Sequence, residues 1–242
     1  MTEIRSPCVS PLLVPVFYVN KALVMNSVPP SLISPNILPK KLMSAPLKLG
    51  IMASGNGSNF EAVAEAIKNG ELAAKIQVLI YNNSSAKAAV RAKNWGVPSI
   101  FLDHRKYKTR EEFDRVIVQT LRQYDVEWVI MAGWMRLVTP ILIDAFPDKI
   151  INIHPSLLPS FKGVNAVEQA LAAGVKIAGC TVHLVCLEMD SGAILMQAAV
   201  PVLPDDTAET LHTRIQVEEH RILPIAIALA SQYQLQVTLK PV

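Results

Sequence analysis

The 242-residue chain has only three cysteines, at positions 8, 180 and 186. They are too few and too oddly counted for a disulfide framework, which excludes a small secreted scaffold. It also lacks any apolar run near the roughly 18 residues that a membrane-spanning helix needs; the longest, 11–19, holds Pro11 and Pro15 and stops at Asn20. Glycine is missing from the first 46 residues, which contain 8 of the 17 prolines and none of the 10 glycines. A basic surplus is missing from the rest: residues 47–242 carry 19 basic and 19 acidic side chains, so the formal charge of +3 sits in residues 1–46, with 4 basic and 1 acidic. A charge-balanced body lacks the signature of a phosphate-backbone binder, so neither nucleic acid nor a membrane is an expected partner. No G-x-S-x-G elbow, HExxH helix or Walker loop occurs, which removes support for serine hydrolysis and zinc catalysis. What is there, 51% apolar and 18% charged residues, suffices for a hydrophobic core. A soluble, cytoplasmic protein is expected.

A proline about every six residues forbids long helices and central strands in residues 1–46. No packed structure is expected there, and Glu3, Pro11 and Pro15 speak against a signal peptide. The stretch reads as a disordered extension or as residues upstream of the true start, with Met25 and Met43 as later starts. Residues 47–242 read as a single domain.

From Leu47 strands and helices alternate. The run LKLGIM at 47–52, closed by Ser54-Gly55-Asn56-Gly57, predicts a strand and a turn; Phe60, Val63, Ala64 and Ile67 then predict a helix over 59–69. Strands over 75–81, 98–102, 128–132 and 150–153 follow, with helices over 86–95, 109–124 and 140–146 between them. Helical crossovers imply parallel strands. Strands over 177–187 and 193–200, split by Glu188-Met189-Asp190-Ser191-Gly192, suit an antiparallel hairpin, and a long helix begins at about Asp205. The expected fold is α/β: a doubly wound, mostly parallel sheet with helices on both faces and a C-terminal antiparallel hairpin. Ligands should gather at the carboxyl ends of its parallel strands.

Three features there can carry chemistry. Residues 54–59 lie between the first strand and the first helix, where free N–H groups and the helix dipole favour a phosphate. Phe60 in the third-glycine position, and Tyr81-Asn82-Asn83 in place of an acid after the second strand, argue against a dinucleotide fingerprint. A tight turn with a helix cap is the plain alternative. Asn152 and His154 stand at i and i+2 of an extended segment, so amide and imidazole project to one side; an amide stabilises an oxyanion and a histidine moves a proton near neutral pH. A hydrogen-bonded loop histidine is the plain alternative. Asp190, in the hairpin turn, would stabilise an imidazolium if folding brings it to His154, although Asp-Ser-Gly is also a common turn. Cys180 and Cys186 lack metal-ligand spacing and read as buried thiols, with His183 between them as a satisfied sheet histidine. His212, Gln216 and Glu219 fall at i, i+4 and i+7, a solvated stripe unless the last helix docks on the sheet edge.

In this order, strand-SGNGSN-helix, AGWMRLVTP, NIHPSLLPSFKG, GCTVHLVCLEMDSG and QVEEHRILP, the sequence resembles the glycinamide ribonucleotide formyltransferase family over about 47–230. The most specific element is the Asn-x-His-Pro-Ser-Leu-Leu-Pro block with Asp190 placed 36 residues past His154. The resemblance implies a formyltransferase-like fold and transfer of the formyl group of 10-formyltetrahydrofolate to the amine of glycinamide ribonucleotide in purine synthesis. Both substrates are small molecules, and neither a metal nor a covalent enzyme intermediate is needed. By the same resemblance Asn152 orients the formyl oxygen, His154 is the general acid and Asp190 raises the pKa of His154. Gly57, Ser58 and Asn59 would hold the ribonucleotide phosphate, with Gln216 and Glu219 also on that substrate. Arg110 would lie near the folate glutamate tail, and Met135, Arg136, Leu137 and Val138 would line the pterin pocket, with Asn152 at its reacting end. A monomer or homodimer is expected. Val167 stands where many members have a histidine, Cys186-Leu187 replaces a frequent polar pair, and the proline-rich stretch has no counterpart. The rivals are a methionyl-tRNA formyltransferase, which needs an added C-terminal domain, a formyltetrahydrofolate hydrolase, which has a regulatory domain ahead of the catalytic one, and a non-catalytic nucleotide-binding module. A pure binder has no need of His154 and Asp190 converging.

Overall fold

The alternating segments assemble into one eight-stranded sheet with helices on both faces. The computed structural model describes residues 32–35 and 45–238. Its strands are β1 (Leu32–Ser34), β2 (Leu47–Ala53), β3 (Ala74–Tyr81), β4 (Ser99–Phe101), β5 (Trp128–Met131), β6 (Ile150–His154), β7 (Ile177–Leu184) and β8 (Ile194–Pro201). Its helices are α1 (Ser58–Lys68), α2 (Ala88–Asn94), α3 (Arg110–Gln123), α4 (Pro140–Ala145), α5 (Ala166–Ala172) and α6 (Ala208–Thr238), with a 3-10 turn at His104–Lys106.

The strand order is β1-β8-β7-β6-β5-β2-β3-β4. Strands β2 to β6 run parallel, while β7, β8 and β1 add antiparallel partners on one side. The chain builds outward from β2 through β3 to β4, then returns across β2 to β5. That reversal opens a crevice between the carboxyl ends of β2 and β5, the usual ligand position in such sheets. Burial follows the layering. All four residues of β5 are buried, as a strand covered on both faces requires, whereas β8 alternates buried and partly exposed positions.

Two apolar cores flank the sheet. One joins Leu49, Ile51, Phe60, Ile151 and Val182 to α1 and α6; the other joins Met52, Ile80, Val129 and Ile150 to Phe113, Ile117 and Leu121 of α3 and Leu142 of α4. Phe113, Ile117 and Leu121 recur every four residues and so form one face of α3. Its start is fixed by Thr109, whose hydroxyl accepts the Glu112 N–H at 3.1 Å.

Three differences from the sequence reading have physical causes. Leu32–Ser34 is a strand where no packed structure is expected: three residues free of proline can pair with the open edge of β8. The remainder of residues 1–44, including both later methionine starts, lies outside the described residues. Helix α5 falls in a stretch to which the sequence assigns no element, because its buried Ala166, Val167 and Ala170 are too few to show a period. Strand β7 ends at Leu184 rather than 187, since the chain must leave the sheet to turn back at Asp190.

Candidate active site

The first helix begins on a residue that must be glycine. Gly57 has φ +73°, and a Cβ there would lie 2.7 Å from both Cα and Cβ of Ala88, the first residue of α2. The Ala88 N–H donates to the Gly55 carbonyl at 3.2 Å, so the loop 54–57 is pressed between two helix starts. Arg91 Nε donates to the Asn56 carbonyl at 2.9 Å and its guanidinium binds Glu61. At the other side the Ser54 N–H donates to the Gly133 carbonyl at 3.0 Å, and Ser54 Oγ accepts the Met135 N–H at 3.0 Å. These bonds tie the loop after β2 to the loop after β5 across the crevice.

Asn59 is buried, and its amide donates to Glu219 Oε2 at 2.9 Å while its own Oδ1 has no partner among the described residues. Burial pushes the Glu219 carboxyl above the ordinary carboxylate range, against the opposing pull of Asn59, His212 and His154. The polar stripe on the last helix is therefore a solvated face only at its start. His212 is exposed, Gln216 half-buried and Glu219 only 4% exposed, because α6 packs along α1 and the sheet and carries the stripe inward.

Asn152 and His154 project from β6 as its carboxyl end leaves the sheet, and antiparallel register sets Asn152 opposite His183 of β7. The His154 ring is buried. Its Nε2 lies 2.9 Å from the Phe161 carbonyl and its Nδ1 3.5 Å from Asp190 Oδ2. Both nitrogens thus face acceptors. The segment after His154 is braced by Thr181, whose hydroxyl donates to the Ser156 carbonyl at 2.6 Å and accepts the Leu158 N–H at 3.0 Å. Phe161, Asn165 and Asp190 adopt left-handed backbone with φ between 51° and 57°. Such conformations cost of order 1–3 kcal/mol each and persist only where the surroundings impose them.

Asp190 is held from several sides. The Gly163 N–H donates to its Oδ2 at 2.8 Å, and His183 Nε2 is 3.7 Å from its Oδ1. Burial alone would raise its pKa, but the donors around it, His183 when its Nε2 carries a proton, the Gly163 N–H and His154, hold it below the ordinary value. The turn reaches inward because Gly192 lacks a side chain; a Cβ there would overlap the Leu184 carbonyl. Lys162 clamps the turn through Glu188 at 3.2 Å and the Ser191 hydroxyl. A cavity of about 190 Å³ opens against Asp190, bordered by Pro159, Lys162 and Glu188. A wider concavity of about 800 Å³, between α3 and α4, touches none of the residues singled out from the sequence.

The structure brings Asn152, His154 and Asp190 together, and separately Asn59 and Glu219. In the loop after β5, Met135 and Leu137 are exposed, Val138 packs on the α3 core and Arg136 lies 5.9 Å from the Phe113 ring. Arg110 is exposed at the start of α3. Val167 is buried in the core. Cys180 is buried, which drives its thiol well above the usual range. Cys186 departs from the buried-thiol expectation: it lies half-buried past the end of β7, its Sγ–H donating to the Glu188 carbonyl. His183, read from sequence as a sheet histidine, is in the cluster. Only the β6–β7 register reveals that.

A doubly wound α/β protein with an acid-base cluster at the strand ends is the class that fold and geometry define. Residues 47–227 match the formyl transferase family along three quarters of the chain, and the chain belongs to that family. More particularly, it is similar to the phosphoribosylglycinamide formyltransferase of Bacillus subtilis, with 43% identity over 180 residues, 74% of this chain and 92% of that one. It is also similar to the crystal structure of glycinamide ribonucleotide transformylase 1 from Symbiobacterium toebii, with TM-score 0.77 and 42% identity, covering 80% of this chain and 92% of that chain. The trifunctional purine biosynthetic protein adenosine-3 of Gallus gallus is 40% identical over 197 residues, 81% of this chain. The chain spans about a fifth of that relative's length.

Proposed function

We propose that the chain is a phosphoribosylglycinamide formyltransferase, moving the formyl group of 10-formyltetrahydrofolate to the amine of glycinamide ribonucleotide in purine biosynthesis. The observation that carries this reading is the meeting of Asn152, His154 and Asp190 around one edge of the crevice, in a chain of the formyl transferase family. In this reading Asn152 donates to the formyl oxygen as the substrate amine attacks the formyl carbon, and His154, carrying a proton, steadies the same oxygen. Asp190, ionised at neutral pH, balances the charge on His154 and, through a water, takes the proton that the attacking amine loses and conducts it to the leaving nitrogen. The carbon–nitrogen bond to the donor breaks as the new one persists, with no covalent link to the enzyme.

Gly57, Ser58 and Asn59 would take the phosphate at the start of α1, with Gln216 and Glu219 on the ribonucleotide. The exposed Met135 and Leu137, with Arg136 and Val138, would wall the folate heterocycle, and Arg110 would meet its glutamate tail. Apolar walls with a few fixed polar groups suit a flat ring. To the same reading belong residues 47–242 as one catalytic domain, a cytoplasmic location and a monomer or homodimer; among the described residues no helix is long and apolar enough to cross a membrane.

The test supplies purified protein with glycinamide ribonucleotide and 10-formyltetrahydrofolate and follows deformylated folate, with tRNA and water as competing acceptors. Formylation of the ribonucleotide is expected, with a loss of roughly 10²–10⁴-fold in Asn152→Ala, His154→Ala and Asp190→Ala. Transfer to tRNA or water instead, or wild-type rates in all three variants, would refute the reading.

A further inference from the structure

His183 is 2% exposed and directly opposite Asn152. Its Nδ1 lies 2.9 Å from the Leu184 carbonyl. A carbonyl only accepts, so the ring proton sits on Nδ1. In the neutral ring Nε2 is then a bare acceptor, and it faces the Asn152 side-chain nitrogen at 3.1 Å. That contact decides which end of Asn152 is the amide nitrogen. One of its two N–H groups is engaged by His183, and the other is left for a ligand. The approach of Nε2 to Asp190 Oδ1, at 3.7 Å, is too long for a hydrogen bond. With His183 in this tautomer, the Gly163 N–H at 2.8 Å and the His154 ring hold the carboxylate.

We infer that His183 is a positioning residue for formyl transfer: it locks the Asn152 amide with an N–H aimed at the reacting carbonyl oxygen. The inference rests on the role of Asn152 proposed above. Without an acceptor at 183, the amide is released to turn over and present its oxygen to an atom gaining negative charge. The loss falls on the transition state, hence on kcat, and it acts through Asn152.

Kinetics of His183→Phe, His183→Gln, Asn152→Ala and the His183→Phe/Asn152→Ala double variant test this. His183→Phe is expected to lower kcat about 10- to 100-fold, below the 10²–10³ that removal of a whole oxyanion donor costs, with both KM values within about twofold. His183→Gln, whose side-chain oxygen can accept the Asn152 N–H, should recover most of the loss. The double variant should be no slower than Asn152→Ala alone. A wild-type kcat in His183→Phe, or a loss that multiplies undiminished onto that of Asn152→Ala, overturns the inference while leaving the role of Asn152 standing. A wild-type rate in Asn152→Ala overturns that role, and the inference with it. Should the Phe variant not fold, imidazole nitrogen NMR of the wild-type protein decides: the Nδ1–H signature supports the lock, and the Nε2–H signature overturns it.

Discussion

Replacing Gly57 with alanine attacks the junction of the glycine-rich loop with both helices, and its cost can be worked from the backbone. At φ +73° an alanine is in the left-handed region, which costs about 1–2 kcal/mol for an L side chain. Its Cβ would also sit 2.7 Å from Cα and Cβ of Ala88. That neighbour is the backbone of a helix start and cannot swing aside, so α1 and α2 must part; forced overpacking of this kind costs about 1–3 kcal/mol. The sum, about 2–5 kcal/mol, corresponds to a fall in melting temperature of roughly 10 °C for a domain of this size. The displaced N–H groups should also raise KM for the ribonucleotide about tenfold while KM for the folate stays near wild type. Gly55 is the control, since a Cβ there meets nothing within 4 Å, and Gly55→Ala should melt near wild type. Gly57→Asn separates the two causes, because asparagine tolerates left-handed backbone but keeps the Cβ overlap. A Gly57→Ala protein with wild-type melting and wild-type KM would refute the argument that this position is closed to side chains.

Other outcomes follow from buried polar groups. Thr181→Val keeps shape but strips the partner from the Ser156 carbonyl and the Leu158 N–H; a loss of about 2–5 kcal/mol in urea unfolding is expected, and an unchanged midpoint would show that water replaces the hydroxyl. Glu219 binds its proton more tightly folded than unfolded, because burial raises its pKa. Its favourable contribution is therefore complete below about pH 4.3 and fades as pH rises through the raised value. Glu219→Gln should gain on wild type between pH 4 and 8, and a stability gap constant with pH would contradict the buried carboxyl. Asp190 has the opposite sign: its lowered pKa gives stability that is present above about pH 3.9 and lost as pH falls through the folded value. The deficit of Asp190→Asn relative to wild type should therefore shrink in acid unfolding between pH 5 and 2.5, and a constant deficit would mean that the carboxylate charge is not what holds the turn.

The parallel half of the sheet was legible because β2, β3, β5 and β6 are short, mostly apolar runs bounded by turn residues, and each expected boundary falls within about two residues of these strands. Strand order was legible only through the general rule for crossovers, since nothing local in LKLGIM says that β2 separates β3 from β5. The same division runs through the site. Asn152 and His154 could be read as neighbours because a two-residue period is a local property of extended chain. The approach of Asp190 to His154 could be read only through the family resemblance and not from local pattern: it depends on the β6–β7 register, on Gly192 passing under the Leu184 carbonyl, and on the Gly163 N–H waiting at 2.8 Å. His183 is the hydrogen-bonded sheet histidine that the sequence leads one to expect, but its place beside Asn152 and Asp190 was dark for the same reason. Its parity along β7 marks it only as facing the opposite side from Cys180, and what stands on that side is set by a strand 31 residues earlier. Glu219 shows the helical version of the problem. An i, i+4, i+7 stripe gives a direction around α6 but not what the helix leans on, and burial of the stripe's last member against Asn59 follows from α6 packing along α1. Groups that act on one reacting atom must come from elements remote in sequence, so each catalytic contact that local pattern leaves dark crosses a strand pair or a helix pair.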